Sequence, residues 1–363
     1  MQPMKLTGFE RVSNVFAGKR VDRIPVAEDF WGETIDKWIS EKHVEIGVPF
    51  VEHFDFDMDR GGFLNYYADL DFKTQKLEED ENTAMYLDGN GAKLRVNKYH
   101  VGGVQHVDFL VKDRSSWEKF TVPHLIKLDY RRIPFEEYRM KKEAAIKQGR
   151  HFSNDALGPF EIMQRLCGHE NLLLNMALDP GFVKDMALTY SELNIRHWEI
   201  LFDKEGLPDS TWIAEDLGYK HKPFMSPKMF IDVLLPAYVK MFDYLHSKGL
   251  KVIMHSCGYI EPLLPALIDA GLDCLEAMEF KAGMNMLDLF AKYGNSIVYF
   301  GNIDVRVLES NDISCVKNEL YDKICPIINQ GGRYILHSDH SISPKVEYST
   351  FCHYLEIARE ICV

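Results

Sequence analysis

The sequence predicts an α/β fold: a single (β/α)8 barrel of the TIM-barrel kind over residues 1–363, with a β-hairpin insertion in its N-terminal third. Three observations predict it. Beyond Tyr130, long amphipathic helices alternate with short apolar runs, and regular strand–helix alternation builds a parallel sheet. Each run ends in polar residues, and barrels carry their chemistry at the C-terminal ends of their strands. No run is followed by a GxGxxG or GxxxxGK turn, so the nucleotide-binding open sheets lose support.

The elements follow in chain order. Lys5–Phe16 has helical spacing and stops at Gly18. DRIPV (Asp22–Val26) is read as a first strand, because Pro25 disfavours helix and its flanks are β-branched. FWGETIDKWI is a helix carrying Trp31 and Trp38. Residues 63–122 alternate in strand fashion around the turn signal DGNG (Asp88–Gly91), a β-rich insertion placed like a lid. PFEEYRMKKEAAIKQ and PGFVKDMALTYSELNIRHWEILFDKEG are long helices. The apolar runs between and after them are HFSNDA, STWIAED, KVIMHSCG, LDCLEAME, SIVYFGNID and RYILHSDH. With DRIPV these make seven strands, and an eighth is expected before Phe152.

Composition sets outer limits. At 46% hydrophobic and 27% charged residues the chain is an ordinary globular one. Fifty-five acidic against 42 basic residues give a net charge of −13. That charge repels phosphate backbones, and no Lys/Arg cluster offers a local exception, so no nucleic-acid partner is expected. The N-terminus lacks a signal-peptide pattern, and no run reaches the ~18 apolar residues of a membrane helix. A cytoplasmic protein without membrane contact is expected, and a homodimer is compatible with the sequence. Seven cysteines are scattered over the chain and do not resemble a disulfide framework. Cys167, Cys274, Cys315, Cys325, Cys352 and Cys362 read as small buried hydrophobes.

Cys257 differs because of its neighbours. The strand ends present Glu28 and Asp29, Asn154 and Asp155, Glu215 and Asp216, His255 and Cys257, Glu279, Asn302 and Asp304, then His337, Asp339 and His340. In MHSCG (Met254–Gly258) the alternation of an extended chain puts His255 and Cys257 on one side. Imidazole nitrogen and thiolate sulfur are zinc ligands at roughly 2.0–2.3 Å. A third ligand must come from another strand, and HSDHS (His337–Ser341) supplies His340, with Asp339 as its alternative or its orienting partner. The fourth position is left to substrate or to Glu279. Glu215 and Asp216 beside Tyr219 offer a general acid or a hydrogen-bond acceptor, and Asn302 offers a polar clamp. Phe30, Trp31 and Trp212 are candidate walls of an apolar substrate pocket.

Around these residues the chain resembles the uroporphyrinogen decarboxylase superfamily. The likeness is carried by ERVSNVFAGKRVDRIPV, EDLGY, MSPKMFIDVLLPAYVKMFDYLHSKGLKVIMHSCG, LIDAGLDCLEAMEFKAGMN, GNIDVRVL and GGRYILHSDHSISPKV. The superfamily's folds are (β/α)8 barrels. Its decarboxylases open with an arginine-rich MRQAGRY-like motif that grips porphyrinogen carboxylates, and that motif does not occur here. The likeness therefore points to the zinc- and corrinoid-dependent branch: methyltransferase I of O-demethylase systems and enzymes similar to methylcobalamin:coenzyme M methyltransferase. Their His-x-Cys matches His255 and Cys257, and their later cysteine, in a Gly-Cys-Gly-like turn, falls on His340. The resemblance implies zinc as cofactor and methyl transfer from a small methoxylated or methylated substrate. The acceptor is then cobalamin borne by a separate corrinoid protein, since no DxHxxG-type signature occurs in this chain. The alternatives are a metal-independent decarboxylase using Asp216 and a binding barrel without chemistry.

Overall fold

In the computed structural model, which describes residues 5–99 and 104–361, strand alternation resolves into one curled parallel sheet. Its strands are β1 (Met58–Gly61), β6 (His151–Leu157), β7 (Ser210–Glu215), β10 (Lys251–Ser256), β11 (Cys274–Ala277), β12 (Val298–Gly301) and β13 (Tyr334–Ile335), hydrogen-bonded in that order. Between β1 and β6 come β2 (Gln75–Glu79), β3 (Thr83–Leu87), β4 (Lys93–Asn97) and β5 (Val104–Asp108), a separate antiparallel sheet. A two-stranded hairpin, β8 (Gly218–Tyr219) and β9 (Lys222–Pro223), follows β7.

Residues 25–27 close the ring. Val26 bridges Leu336 in parallel, Leu336 N donates to Pro25 O and Ala27 N to Leu336 O. On the other side Asp57 N donates to Val26 O at 2.8 Å, just before β1. DRIPV thus contributes the eighth stave, through these few bonds. The stave expected before Phe152 is β1, whose sequence MDRG carries no apolar pattern.

Period-two alternation divides the strands into two layers of packing. Met58, Trp212, Ile253, Cys274, Val298, Phe300 and Ile335 face the lumen, where Val12, Val15 and Phe16 of the helix Gly8–Phe16 plug them from below. Thr7 starts that helix with a capping box to Glu10, later than Lys5, because the threonine oxygen satisfies free N–H groups of the first turn. Residues of opposite parity, such as Ile213, Val252, Met254, Leu275 and Tyr299, pack outward against the helices. Two of these are Pro180–Glu205 and Leu235–Ser247. No described helix is long and apolar enough to cross a membrane.

Within the segment 63–122, Gln75 to Asp108 carry a four-stranded meander, followed by the short helices Arg114–Phe120 and, at the segment's end, Val122–Leu125; residues 100–103 lie outside the described part. Cys315 is exposed, against the reading of it as a small buried hydrophobe, since it sits in the first turn of a surface helix. Cys362 lies outside the described residues.

The seam depends on Asp57, which is 2% exposed. Its carboxylate accepts from Arg11 Nη1, from Arg23 Nη1 at 2.7 Å and from Val26 N at 2.8 Å. Arg11 is itself 3% exposed. Asp57→Ala leaves that guanidinium with Asp22 and the Leu6 carbonyl and removes the side-chain bond to Val26 N. Stripping one partner from a buried pair costs about 3–5 kcal/mol, and urea denaturation is expected to show a loss of that size.

Candidate metal centre and its supporting shell

Strand parity sends His255 of β10 into the lumen beside Ile253. Cys257, two residues on, falls on the same side, with Sγ 3.3 Å from His255 Nε2. The loop after β7 brings Asp216 Oδ1 to 3.7 Å from the same nitrogen. Asp216, His255 and Cys257 offer ligand atoms that all lie within 4.8 Å of one another. A tetrahedral zinc with bonds of ~2.0–2.3 Å separates its sulfur and nitrogen ligands by ~3.5 Å and its nitrogen and oxygen ligands by ~3.4 Å. The imidazole–thiol–carboxylate set fits zinc in both chemistry and spacing.

Two glycines let the loops approach. Gly258 has φ +76, and a Cβ there would lie 2.3 Å from the backbone carbon of Gly218. Tyr259 N donates to Tyr219 O at 3.0 Å and Cys257 N to Asp216 Oδ1 at 3.0 Å. Gly258 N donates to Glu279 Oε2 at 2.7 Å, so Glu279 orients the ligand loop.

Glu276 and Trp212 fix the imidazole. His255 Nδ1 lies 2.6 Å from Glu276 Oε2, which also accepts from Trp212 Nε1 at 3.1 Å. With Nδ1–H donating to that carboxylate, Nε2 faces the cluster, and a metal there would take the place of its proton. Burial disfavours the Glu276 charge, but His255, and then His337, hold its carboxyl below the ordinary range. His337 lies 3.5 Å from Glu276 and 3.7 Å from both Glu28 and Asp29. These acids outweigh burial and raise its pKa to about 10.

The other residues singled out from the sequence are dispersed. His340 lies outside the cluster of ligand atoms within 4.8 Å; its ring stacks on Trp31 at 5.6 Å. Glu215 faces outward, as its parity with Ile213 requires, and accepts from Phe160 N, Glu161 N and Tyr238 Oη. Burial raises its pKa to about 8. It anchors the helix Pro159–Cys167 and is sealed from the lumen. Asp339 accepts from Phe280 N and Val305 N, both at 2.9 Å, tying the ends of three staves together. Asn302 is fully buried, with its amide spent on Met278 O, Met284 O and Met286 N. Asp339 and Asn302 hold loops rather than substrate. Phe30 sits in an aromatic nest with Trp38, Phe54 and Phe351 while touching the lumen cavity. Tyr219 is 66% exposed on the rim of a second cavity, about 510 Å³, that includes Asp216 and Cys257.

Sequence reasoning left out Glu276 and Arg60. Arg60 belongs to the stave it did not locate. Its Nη2 holds both oxygens of Asp29 at 2.7 Å, and its guanidinium lies 3.8 Å from the centroid of Trp212. Together with Asp155 these residues border the lumen cavity, about 360 Å³. Burial raises the Asp155 carboxyl from 3.8 to about 7, against the pull of Arg60. A folded pKa above the unfolded one favours folding fully below pH ~3.8, and the contribution fades as pH rises through 7. Asp155→Asn is therefore expected to gain stability over the native chain at pH 8 and little at pH 4. Denaturant midpoints at the two pH values test it.

The family model for uroporphyrinogen decarboxylase (URO-D) matches residues 152–361. Among solved structures, a methyltransferase from Methanosarcina mazei is similar over 98% of this chain and 98% of its own, with a TM-score of 0.66 and 14% identity. A β-glycosidase from the hyperthermophile Thermosphaera aggregans aligns over 97% of this chain and 90% of its own, at a TM-score of 0.43 and 12% identity. At such identities the first likeness speaks for the fold alone. No curated protein sequence matches the chain. The family match covers more than half of the 363 residues, and the chain belongs to the uroporphyrinogen decarboxylase family.

Proposed function

We propose that this chain is a zinc-dependent methyltransferase that moves a methyl group from a small methoxylated or methylated substrate to the cobalt of a separate corrinoid protein. The observation that carries the reading is the Asp216–His255–Cys257 set at the barrel mouth, with His255 locked by Glu276 and Trp212. Zinc bound there supplies a Lewis acid that polarises a substrate heteroatom and improves it as a leaving group. The chain's own residues do the rest. Glu276 orients the imidazole, Glu279 and the Gly218–Gly258 contact hold the thiol near the carboxylate, and Trp212 separates the cluster from the polar groups deeper in the lumen.

A methyltransferase is also what the Methanosarcina mazei structure is named, and that likeness runs the full length of both chains. Decarboxylation of a porphyrinogen is disfavoured, because several substrate carboxylates need several cations. The arginine on the lumen cavity, Arg60, is already held by Asp29. His340, stacked on Trp31, remains available to the rim of the site as a substrate contact.

Untagged protein is expected to carry about one zinc per chain and to form methylcobalamin from free cob(I)alamin when given methoxylated or methylated donors. Metal analysis and the visible spectrum of the cobalamin read this out. Protein without zinc and without transfer from any such donor removes the reading.

A further inference from the structure

Arg60 and Asp155 line the lumen cavity, and each carries one polar atom that the metal cluster does not use. Arg60 Nη2 is engaged by Asp29, and Nη1 faces Asp155 Oδ1 at 3.7 Å. That distance is too long for a hydrogen bond, and both atoms are buried with no hydrogen-bond partner. The Asp155 side chain is 9% exposed. Buried polar groups are costly unless paired, and here two of them face each other unpaired at the cavity wall. Phe30, Phe56, Phe300 and Trp212 supply apolar walls to the same cavity, whose volume of about 360 Å³ is near the lower end for a small-molecule site.

The chemistry of the pair narrows the ligand. Nη1 only donates. Asp155, held up to about 7 by burial, accepts when ionised and donates when protonated. One neutral oxygen bearing a lone pair and an O–H, seated between the two, answers both. The charges lining the cavity oppose one another, Asp29 and Glu276 against Arg60, Lys141 and His337, so neither an anion nor a cation is favoured over a neutral group, and a cation has no lone pair for Arg60.

We propose that Arg60 Nη1 and Asp155 Oδ1 form a recognition pair for a neutral, non-reacting hydroxyl group of the substrate, on a body about one ring in size. The inference rests on the methyl-transfer reading for the identity of the substrate, and on the cavity alone for the hydroxyl. Trp212 links the two regions: its ring lies 5.4 Å from the His255 ring on one side and 3.8 Å from Arg60 on the other. A hydroxyl bound at the pair therefore places its carrier beside the metal ligands without touching them.

The test uses phenol and toluene, which match in shape and differ by O–H against CH₃, titrated calorimetrically into the purified protein. Phenol is expected to bind roughly 10- to 100-fold more tightly, the span of a hydrogen bond to a charged group. Asp155→Ala and Arg60→Met are each expected to erase most of that preference while zinc content stays as in the native protein. Asp155→Ala leaves the Arg60–Asp29 pair in place, so it is the safer of the two for folding, and the native comparison stands without either. Equal affinities in the native protein, no measurable phenol binding, or a preference that survives both substitutions overturns the pair. Zinc and methyl transfer are measured on the same preparations. Preference for phenol without zinc or transfer sinks the methyl-transfer reading alone, and zinc-dependent transfer without the preference sinks the hydroxyl pair alone.

Discussion

Replacing Cys257 by serine is expected to strip the protein of zinc and abolish methyl transfer while leaving the barrel folded. Cys257 is half-buried on a loop past the end of β10. Its sulfur meets His255, while its backbone N–H, which serine retains, donates to Asp216. The His255–Glu276–Trp212 arrangement survives the change. On the proposed assignment the change removes the soft donor of the Asp216–His255–Cys257 set, leaving an imidazole and one carboxylate. Losing an outer-shell partner already costs about 10- to 100-fold in metal affinity or activity, so losing a ligand should take transfer below about one-hundredth of native. The thermal midpoint should match that of native protein stripped of metal, since only the metal's contribution is removed. A variant that keeps zinc, or transfers methyl groups near the native rate, contradicts the assignment. The metal-independent lyase reading instead requires decarboxylase activity that survives both chelators and Cys257→Ala.

Gly258→Ala should act on the same site through the backbone. A Cβ at Gly258 would meet the Gly218 carbonyl carbon at 2.3 Å and its oxygen at 2.4 Å, and main-chain atoms cannot swing aside. The φ of +76 adds the left-handed penalty of about 1–2 kcal/mol, and overpacking adds about 1–3 kcal/mol more. To relieve the clash, the loops after β7 and β10 must part, carrying Asp216 away from Cys257. Zinc affinity is expected to fall at least about 10-fold, as for a lost outer-shell support. Gly331→Ala is the control: its φ is +74 with nothing within 4 Å of the added atom. It should lose a similar strain energy and no zinc affinity. Competition with a chromophoric chelator reads the affinity, and denaturant midpoints read the stability.

Much of the fold was legible because strand and helix periods differ and the chain keeps to them. Seven staves and the long helices announce themselves as apolar runs or amphipathic stretches. The eighth was not legible: β1 is four residues, MDRG, held by its neighbours rather than by its own propensity. Missing it concealed Arg60, and with it the polar lumen. The candidate site was legible where two donor side chains lie two residues apart at one strand end. His255 and Cys257 need only local parity to meet, whereas Asp216 comes from another loop and was read as an acid rather than as a neighbour of the thiol. Glu276 was passed over in favour of Glu279, three residues on and already past the end of β11. In the structure Glu276 reaches into the lumen and Glu279 holds a backbone N–H. Glu215, Asn302 and Asp339 show the limit of reading strand ends. Polar residues there also pin helix N-termini and loops, and the two uses look alike in one dimension. Parity alone would have separated Glu215, because Trp212 faces inward and a residue three further along a strand cannot.

The closing stave also constrains how the molecule comes into being. Sheet order follows chain order, so each strand–helix unit can dock on the one made before it. Yet the final bonds join opposite extremes of the polypeptide, with Ser338 donating to Glu28 across 310 residues. During synthesis residues 25–27 pair with the stretch before β1 on one side and wait on the other until Leu336 has emerged. Through that interval the growing sheet carries an unpaired edge at its leading strand, the kind of edge that recruits other chains. Ring closure at such sequence separation is intrinsically slow. Chaperone demand and aggregation should therefore concentrate in that window, and circular permutants that relocate the seam would shift it.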